Sequence, residues 1–219
     1  MTKDKEFDRK YTIEHHIPRF AEFEKYRGKK VLEIGCGDGL DAERFVRAGA
    51  IYTGIDASGE SVEVTKKRLM NTNVATFTVM TQNIEEWKTD EQFDLIYSFG
   101  VLHHASNFHN AMSNIRAMLK PWGEFKMMVH ATRSLKNLCI KVGLDAPVAR
   151  AYTRGEIRTL LSDFDLTITQ DHIFQYDKPS YDNYKYIKLP PWDVMPECVT
   201  RMMERAFGWH MLVKCVKRV

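Results

Sequence analysis

Cysteine is scarce and scattered. Cys36, Cys139, Cys198 and Cys215 stand far apart with no C-x-x-C pair, which argues against a disulfide framework and against a zinc site. An excess of one charge is missing too. Against 32 Lys and Arg stand 29 Asp and Glu, a net charge of +3, too small by itself to point to nucleic acid or an anionic membrane. No apolar run approaches the length of a membrane span. There are no internal repeats and no low-complexity stretch. The first residues, Met-Thr-Lys-Asp-Lys-Glu-Phe-Asp, lack the apolar core of a signal peptide. A soluble cytoplasmic protein is the expectation. What remains is an ordinary globular mix, 44% hydrophobic and 28% charged over 219 residues, enough for one α/β domain with an elaboration.

Periodicity divides the chain. Ile13, Ile17, Phe20 and Phe23 fall at helical spacing, and Pro18 predicts two short helices with a kink between them. Strands are expected at Val31–Ile34, at Ile51–Ile55, around Ala75, Phe77 and Val79, and at Phe93–Ser98, Glu124–His130, Leu166–Phe174 and Trp209–Val216. Helices are expected over Leu40–Ala48, from the Ser58 cap to Met70, briefly at Ile84–Trp87, and from Phe108 to Leu119, where Pro121 stops the pattern. Leu135–Val142 and Asp193–Phe207 read as further helices. In the latter Val199, Met202, Met203, Ala206 and Phe207 form an apolar stripe. Thr153-x-x-Glu156 is a capping box that opens another. Strands alternating with helices give the fold class α/β, a doubly wound, mostly parallel sheet. One domain covers 1–219: a helical lid at 1–28, a core at 29–175, an elaboration at 176–208 and a last strand at 209–219.

The most informative segment is Val31-Leu-Glu-Ile-Gly-Cys-Gly-Asp-Gly39, followed by Tyr-Thr-Gly-Ile-Asp56. An apolar strand ends in a glycine-rich turn, a helix follows, and a second strand ends in a carboxylate. That arrangement grips a nucleoside-bearing cofactor, with the acid placed to meet ribose hydroxyls. A dinucleotide site needs G-x-G-x-x-G, and Leu40 occupies the third glycine's place. No Lys-Ser or Lys-Thr follows, so this is no P-loop. Glu33, two residues before Gly35, would repel a pyrophosphate but suits a cationic ligand.

This acidic-x-Gly-x-Gly-x-Gly turn resembles the first motif of the class I S-adenosylmethionine-dependent methyltransferases. The likeness covers Lys29–His130 well and fits the remainder by element order. It implies a seven-stranded sheet with the last strand antiparallel, an N-terminal helical lid, an insertion before the last strand, and S-adenosyl-L-methionine as cofactor. It implies that Glu33 holds the methionine amine, directly or through water, and that Gly35, Cys36 and Gly37 pack against the methionyl and ribose parts. Asp56 would accept from the ribose, with Ala57 or Ser58 near the adenine. Asn83 stands where the family often has an adenine-binding Asp, and it is equally readable as a helix N-cap. Ile84 would pack on the ring, Ser98 would face the methionine portion, and Tyr11 would close over the cofactor. His15 and His16 read as a solvated face, and Cys36 as a small filler without reactivity.

Methyl transfer from a sulfonium is an in-line displacement that needs placement and, for a hydroxyl, a base. Phe99-Gly-Val-Leu-His103-His104 follows the fourth strand and looks like the family's loop facing the reactive methyl. His103 matches the base of some O-methyltransferases, although His104 replaces the Asp that follows it there, and packing of the loop is the competing role. His130, Tyr152 and Arg154 are candidates for the substrate wall. His103, His104 and His109 are irregularly spaced with no carboxylate among them, so no metal site is expected. Residues 174–192 interleave aromatics with lysines, but Asp177, Asp182 and Asp193 dilute the charge. This segment reads as a substrate-side lid or a homodimer contact rather than a nucleic-acid surface. The function expected is methyl transfer to O or N of a small molecule. The alternatives are RNA or protein as acceptor, or a silent cofactor-binding protein.

Overall fold

The computed structural model describes residues 10–72, 74, 77–143, 150–175 and 187–218. Seven strands form the body of one sheet: β1 (Lys30–Ile34), β2 (Ile51–Asp56), β3 (Phe77–Thr81), β4 (Phe93–Phe99), β5 (Leu119–Ala131), β7 (Phe164–Asp171) and β8 (His210–Lys217). Their order is β3-β2-β1-β4-β5-β8-β7. The ladders from β3 to β5 are parallel, and β8 runs antiparallel to both neighbours. An eighth strand of two residues, β6 (Ala151–Tyr152), pairs with the end of β5. The expected seven strands therefore gain one short addition, made where Tyr152 leaves the sheet edge for the capped helix.

Alternation along each strand feeds two cores, as a sheet buried on both faces requires. Leu32, Ile34, Ile96, Phe125, Met127 and Val213 meet α4 (Phe108–Met118) and α6 (Arg154–Leu160) on one face. Val31, Tyr52, Leu95 and Tyr97 meet α1 (His16–Ala21), α2 (Leu40–Arg47) and α3 (Gly59–Met70) on the other. α5 (Leu135–Lys141) and α7 (Glu197–Phe207) complete the described helices. None of these helices is long and apolar enough to cross a membrane.

Four local readings change. The break in the N-terminal helices falls at residues 14–15, not at Pro18. Pro18 is the third residue of α1, in the first turn, where a backbone N–H has no intrahelical partner to lose. Residues 84–86 form a single turn instead of a helix, closed by Trp87 N–H donating to the Asn83 carbonyl at 2.8 Å. The Pro121-Trp122-Gly123 turn lies inside β5, where Trp122 takes a φ of 61° and the register to β4 slips. In α7 the buried residues are Thr200 and Glu204, while Met202 is 61% exposed. The third strand begins at Phe77, and Ala75 lies outside the described residues, as do Tyr176, Tyr181, Tyr184 and Tyr186 of the aromatic stretch.

The N-terminal segment is fastened by charge as well as by apolar contact. Lys126 on β5 is 0% exposed. Its Nζ donates to Glu22 Oε2 at 2.6 Å and to the Ala21 carbonyl at 3.0 Å. Burial drives this ammonium down to about 8 against the pull of Glu22. Lys214 shares Glu22 at 2.9 Å. Glu22→Ala would leave a buried ammonium with the Ala21 carbonyl and the more distant Glu124 carboxylate, 4.0 Å away. The expected loss is about 2 kcal/mol, below the figure for a fully buried pair because Glu22 is itself partly solvated. Urea unfolding checks it; an unchanged midpoint would show that the pair is not structural.

Candidate active site

Parallel strands deliver their carboxyl ends to one edge, and the glycine turn sits there. Gly35 N–H and Cys36 N–H both donate to the Ile55 carbonyl, at 2.7 and 3.2 Å, which bends the chain back over β2. Gly35 has a φ of +77°, and a Cβ there would lie 2.2 Å from Val101 Cγ2. Only glycine serves at that position. Asp56 ends β2, with one carboxylate oxygen accepting from Gly37 N–H at 3.0 Å and the other from Ser58 N–H at 2.9 Å. Ser58 Oγ in turn caps α3 by accepting from Ser61 N–H.

A pocket of about 190 Å³ opens beside this clamp. Of the residues singled out from the sequence, Gly35, Asp56, Ala57, Asn83, Ile84 and His104 line it, together with Val101 and Leu102. Its floor is apolar and its rim carries the Asp56 carboxylate. Asn83 Oδ1 accepts from Glu85 N–H at 3.0 Å. Glu85, not expected from the sequence, ties this wall to the next by accepting from Ser106 and Asn107 N–H at 2.9 and 2.8 Å.

Other residues singled out from the sequence are not among those lining this small pocket. Glu33 accepts from Tyr52 OH at 2.6 Å. Burial and the nearby Asp41 push its carboxyl well above the usual range. Tyr11 does not close over the glycines. Its hydroxyl donates to Asp41 Oδ1 at 2.6 Å, while Lys10 and Tyr97 donate to the same carboxylate at 3.1 and 2.9 Å. Asp41 was missed because a carboxylate in a helix's first turn reads as solvated. Cys36 is buried, and burial pushes its thiol up to about 12, so it is inert as a nucleophile. Ser98 is 0% exposed, and its hydroxyl has no partner among the described residues.

Beyond β4 the histidines gather. His103 is 4% exposed and sandwiched, with ring centroids 4.2 Å from His104 and 4.0 Å from His130. His130 stacks in turn on Trp209 at 4.2 Å. Burial, followed by the influence of His130 and His104, drives His103 down to about 3. His103 Nδ1 and His130 Nδ1 are buried without hydrogen-bond partners among the described residues. His15 and His16 do not form a solvated face: His16 is buried, and its Nε2 lies 3.0 Å from His210 Nδ1. Tyr152 and Arg154 line a separate cavity of about 530 Å³ with Arg133 and Gln170, and Arg154 Nε donates to Gln170 Oε1 at 3.2 Å. A larger cavity of about 690 Å³ lies over β7 and β8, walled by His16, Arg154, Asp171, Arg201 and Glu204. The turn chemistry belongs to the small pocket and not to this wide one.

The glycine turn, the apolar pocket and the Asp56 carboxylate together suit a nucleoside-bearing ligand. The Asp56 carboxylate stands at its rim, and a Cβ on Gly37 would meet nothing closer than 3.9 Å. Comparison with known proteins agrees. The family described as a methyltransferase domain matches residues 6–171. A ubiquinone biosynthesis O-methyltransferase of Haemophilus ducreyi is 33% identical over 102 residues, covering 44% of this chain and 43% of that one. The chain thus spans less than half the length of that curated relative. Among solved structures, the Bacillus subtilis protein YcgJ superposes with a TM-score of 0.67 at 19% identity, covering 94% of this chain and all of that one. A magnesium protoporphyrin IX methyltransferase of Synechocystis with bound SAH does so with a TM-score of 0.67 at 15% identity, covering 99% and 88%. The chain belongs to the methyltransferase-domain family, within the class I S-adenosylmethionine-dependent methyltransferases that its glycine turn resembles.

Proposed function

We propose that the chain transfers the methyl group of S-adenosylmethionine to a hydroxyl of a small molecule. The observation that carries this reading is the Asp56 clamp. A carboxylate held by Gly37 and Ser58 N–H groups keeps lone pairs for two ribose hydroxyls at the edge of the glycine turn. Bound there, the cofactor supplies an electrophilic methyl on a sulfonium. Ile84 and Ala57 take the adenine, Asn83 borders it, and Ser98 meets the methionine end. Gly35, Cys36 and Gly37 form the floor. Glu33, occupied by Tyr52, supports the turn from behind, and Tyr11 braces the same region through Asp41. His103, His104 and His130 wall the acceptor side, and Tyr152 and Arg154 border an outer cavity. Oxygen is favoured over nitrogen by the O-methyltransferase relatives.

The test is release of S-adenosylhomocysteine on incubation with phenols, catechols and amines. Turnover with a hydroxylated acceptor is expected. Cofactor binding with no turnover on any acceptor would favour the silent binding protein.

His103 is the proposed base. Because burial lowers its pKa to about 3, it stays neutral throughout the ordinary pH range but is weakened as a base, so a base role requires that the acceptor's hydroxyl hydrogen-bond to it directly. The acid limb of kcat/KM is therefore expected near pH 3 and not near pH 6.5. His103→Gln is expected to lower kcat about 100-fold or more with cofactor affinity unchanged. A wild-type profile that falls with an apparent pKa near 6.5 would assign the proton transfer to another group.

A further inference from the structure

Seven of the chain's eight histidines take part in one chain of ring contacts that runs from His104 through His103, His130 and His210 to His172, His16 and His15. At its far end, His16, His172 and His210 are all buried, and one ring nitrogen from each lies within 4.8 Å of the other two. His16 Nε2 and His210 Nδ1 are the closest pair, 3.0 Å apart. His16 comes from the N-terminal helix α1, His172 follows β7, and His210 opens β8. Three separate elements thus aim imidazoles at one point.

We propose that His16, His172 and His210 form a binding site for a first-row divalent transition-metal ion of the zinc type. Three observations carry it. The spacing is near what a tetrahedral ion requires: bonds of about 2.0–2.1 Å place ligand nitrogens roughly 3.4 Å apart, so side-chain shifts of about 1 Å close the site. His16 is 2% exposed, yet its Nδ1 has no hydrogen-bond partner among the described residues. A carboxylate oxygen of Asp171 stands 3.9 Å from that Nδ1, and Glu14 Oε1 lies 3.6 Å from His210 Nδ1. Asp171, beside the His16 nitrogen that does not face His210, is placed as the usual outer support of a ligating imidazole, whereas Glu14, beside the ligating nitrogen of His210, is placed to offer a fourth, oxygen ligand. The donor set selects the metal class: three imidazoles suit zinc, cobalt or nickel, whereas magnesium and calcium take oxygen ligands.

The site has ways in. His16 lines the cavity of about 690 Å³, and His172 lines another of about 290 Å³ beside Trp209. Three protein ligands leave a fourth position for water or an oxygen donor. Phe99, at the end of β4, touches both His16 and His210, with centroids 6.0 and 5.5 Å away. The ion would therefore lie on the acceptor side of the glycine pocket. The proposal stands on the three histidines alone and does not depend on methyl transfer.

The experiment uses the full chain without an affinity tag, stripped of metal by chelator and dialysed. Cobalt(II) is added while visible absorption is recorded, and zinc(II) is titrated by calorimetry. One ion per chain, with the intense d–d bands of tetrahedral cobalt, is expected. His16→Gln, His172→Gln and His210→Gln should each weaken binding at least about 10-fold, while His109→Gln, on exposed α4 surface, should bind as wild type does. Circular dichroism establishes that the variants fold. Should they not fold, X-ray absorption of the zinc-loaded wild type decides, with an imidazole-rich shell expected. No saturable binding by wild type, variants that bind as wild type does, or a shell without imidazole would each overturn the site.

Discussion

Gly35→Ala is expected to lower stability by about 3 kcal/mol and to abolish measurable cofactor binding. Two terms combine. A φ of +77° costs an alanine roughly 1–2 kcal/mol. The new Cβ would also meet Val101 at 2.2, 2.8 and 2.9 Å, an overpacking that costs typically 1–3 kcal/mol. The backbone cannot swing away freely, because Gly35 and Cys36 N–H groups are both committed to Ile55. Relief by moving Val101 would collapse the pocket wall it forms. Adding Val101→Ala should return the packing part and leave the conformational part, so the double variant is expected to be intermediate. Gly37→Ala, with open space around it, should cost only about 1 kcal/mol. Thermal unfolding of the three variants checks the order. Equal stability of Gly35→Ala and Gly37→Ala would contradict the contact with Val101.

Asp56→Ala should weaken S-adenosylmethionine binding about 100-fold while leaving the fold nearly intact. The carboxylate accepts from two backbone N–H groups at 2.9 and 3.0 Å, and each hydrogen bond to a charged group is worth about 1.5–3 kcal/mol. In the free protein water at the pocket rim replaces much of those bonds, so the protein still folds but is expected to lose about 1–2 kcal/mol. In the complex both ribose hydroxyls lose their acceptor. Asp56→Asn is expected to bind nearly as poorly, since its amide presents donors to donors. Calorimetry decides: unchanged affinity in Asp56→Ala would remove the ribose assignment.

The parts of this molecule legible in the sequence are those governed by local rules. β1 and β2 are apolar runs ended by turns, and a parallel sheet sends their ends to one edge. Gly35, Asp56, Ala57, Asn83, Ile84 and His104 consequently meet in one pocket although 69 residues separate the first from the last. The Ser58 cap and the Thr153–Glu156 capping box read correctly for the same reason. What stayed hidden depends on partners distant in the chain. Lys126 looks like an outward residue of β5 until Glu22, 104 positions earlier, is seen beside it. Asp41 is buried because Tyr97 lies across the sheet face to bond it. His16 and His210 are 194 residues apart, and no spacing rule joins them. The bond from Tyr52 to Glu33 joins neighbouring strands and could not be read from the motif alone. The α7 stripe misled because Gln175 bonds the Glu204 carboxylate at 2.8 Å, which lets a polar residue take the buried side.

Binding of S-adenosylmethionine at the glycine turn is decided by calorimetric titration. Purified protein is titrated with S-adenosylmethionine, S-adenosylhomocysteine and NAD. Saturable binding of the two sulfur compounds near one per chain, with none for NAD, is the expected result. Folded protein that binds neither sulfur compound would contradict the account, leaving a doubly wound α/β domain whose glycine turn holds nothing.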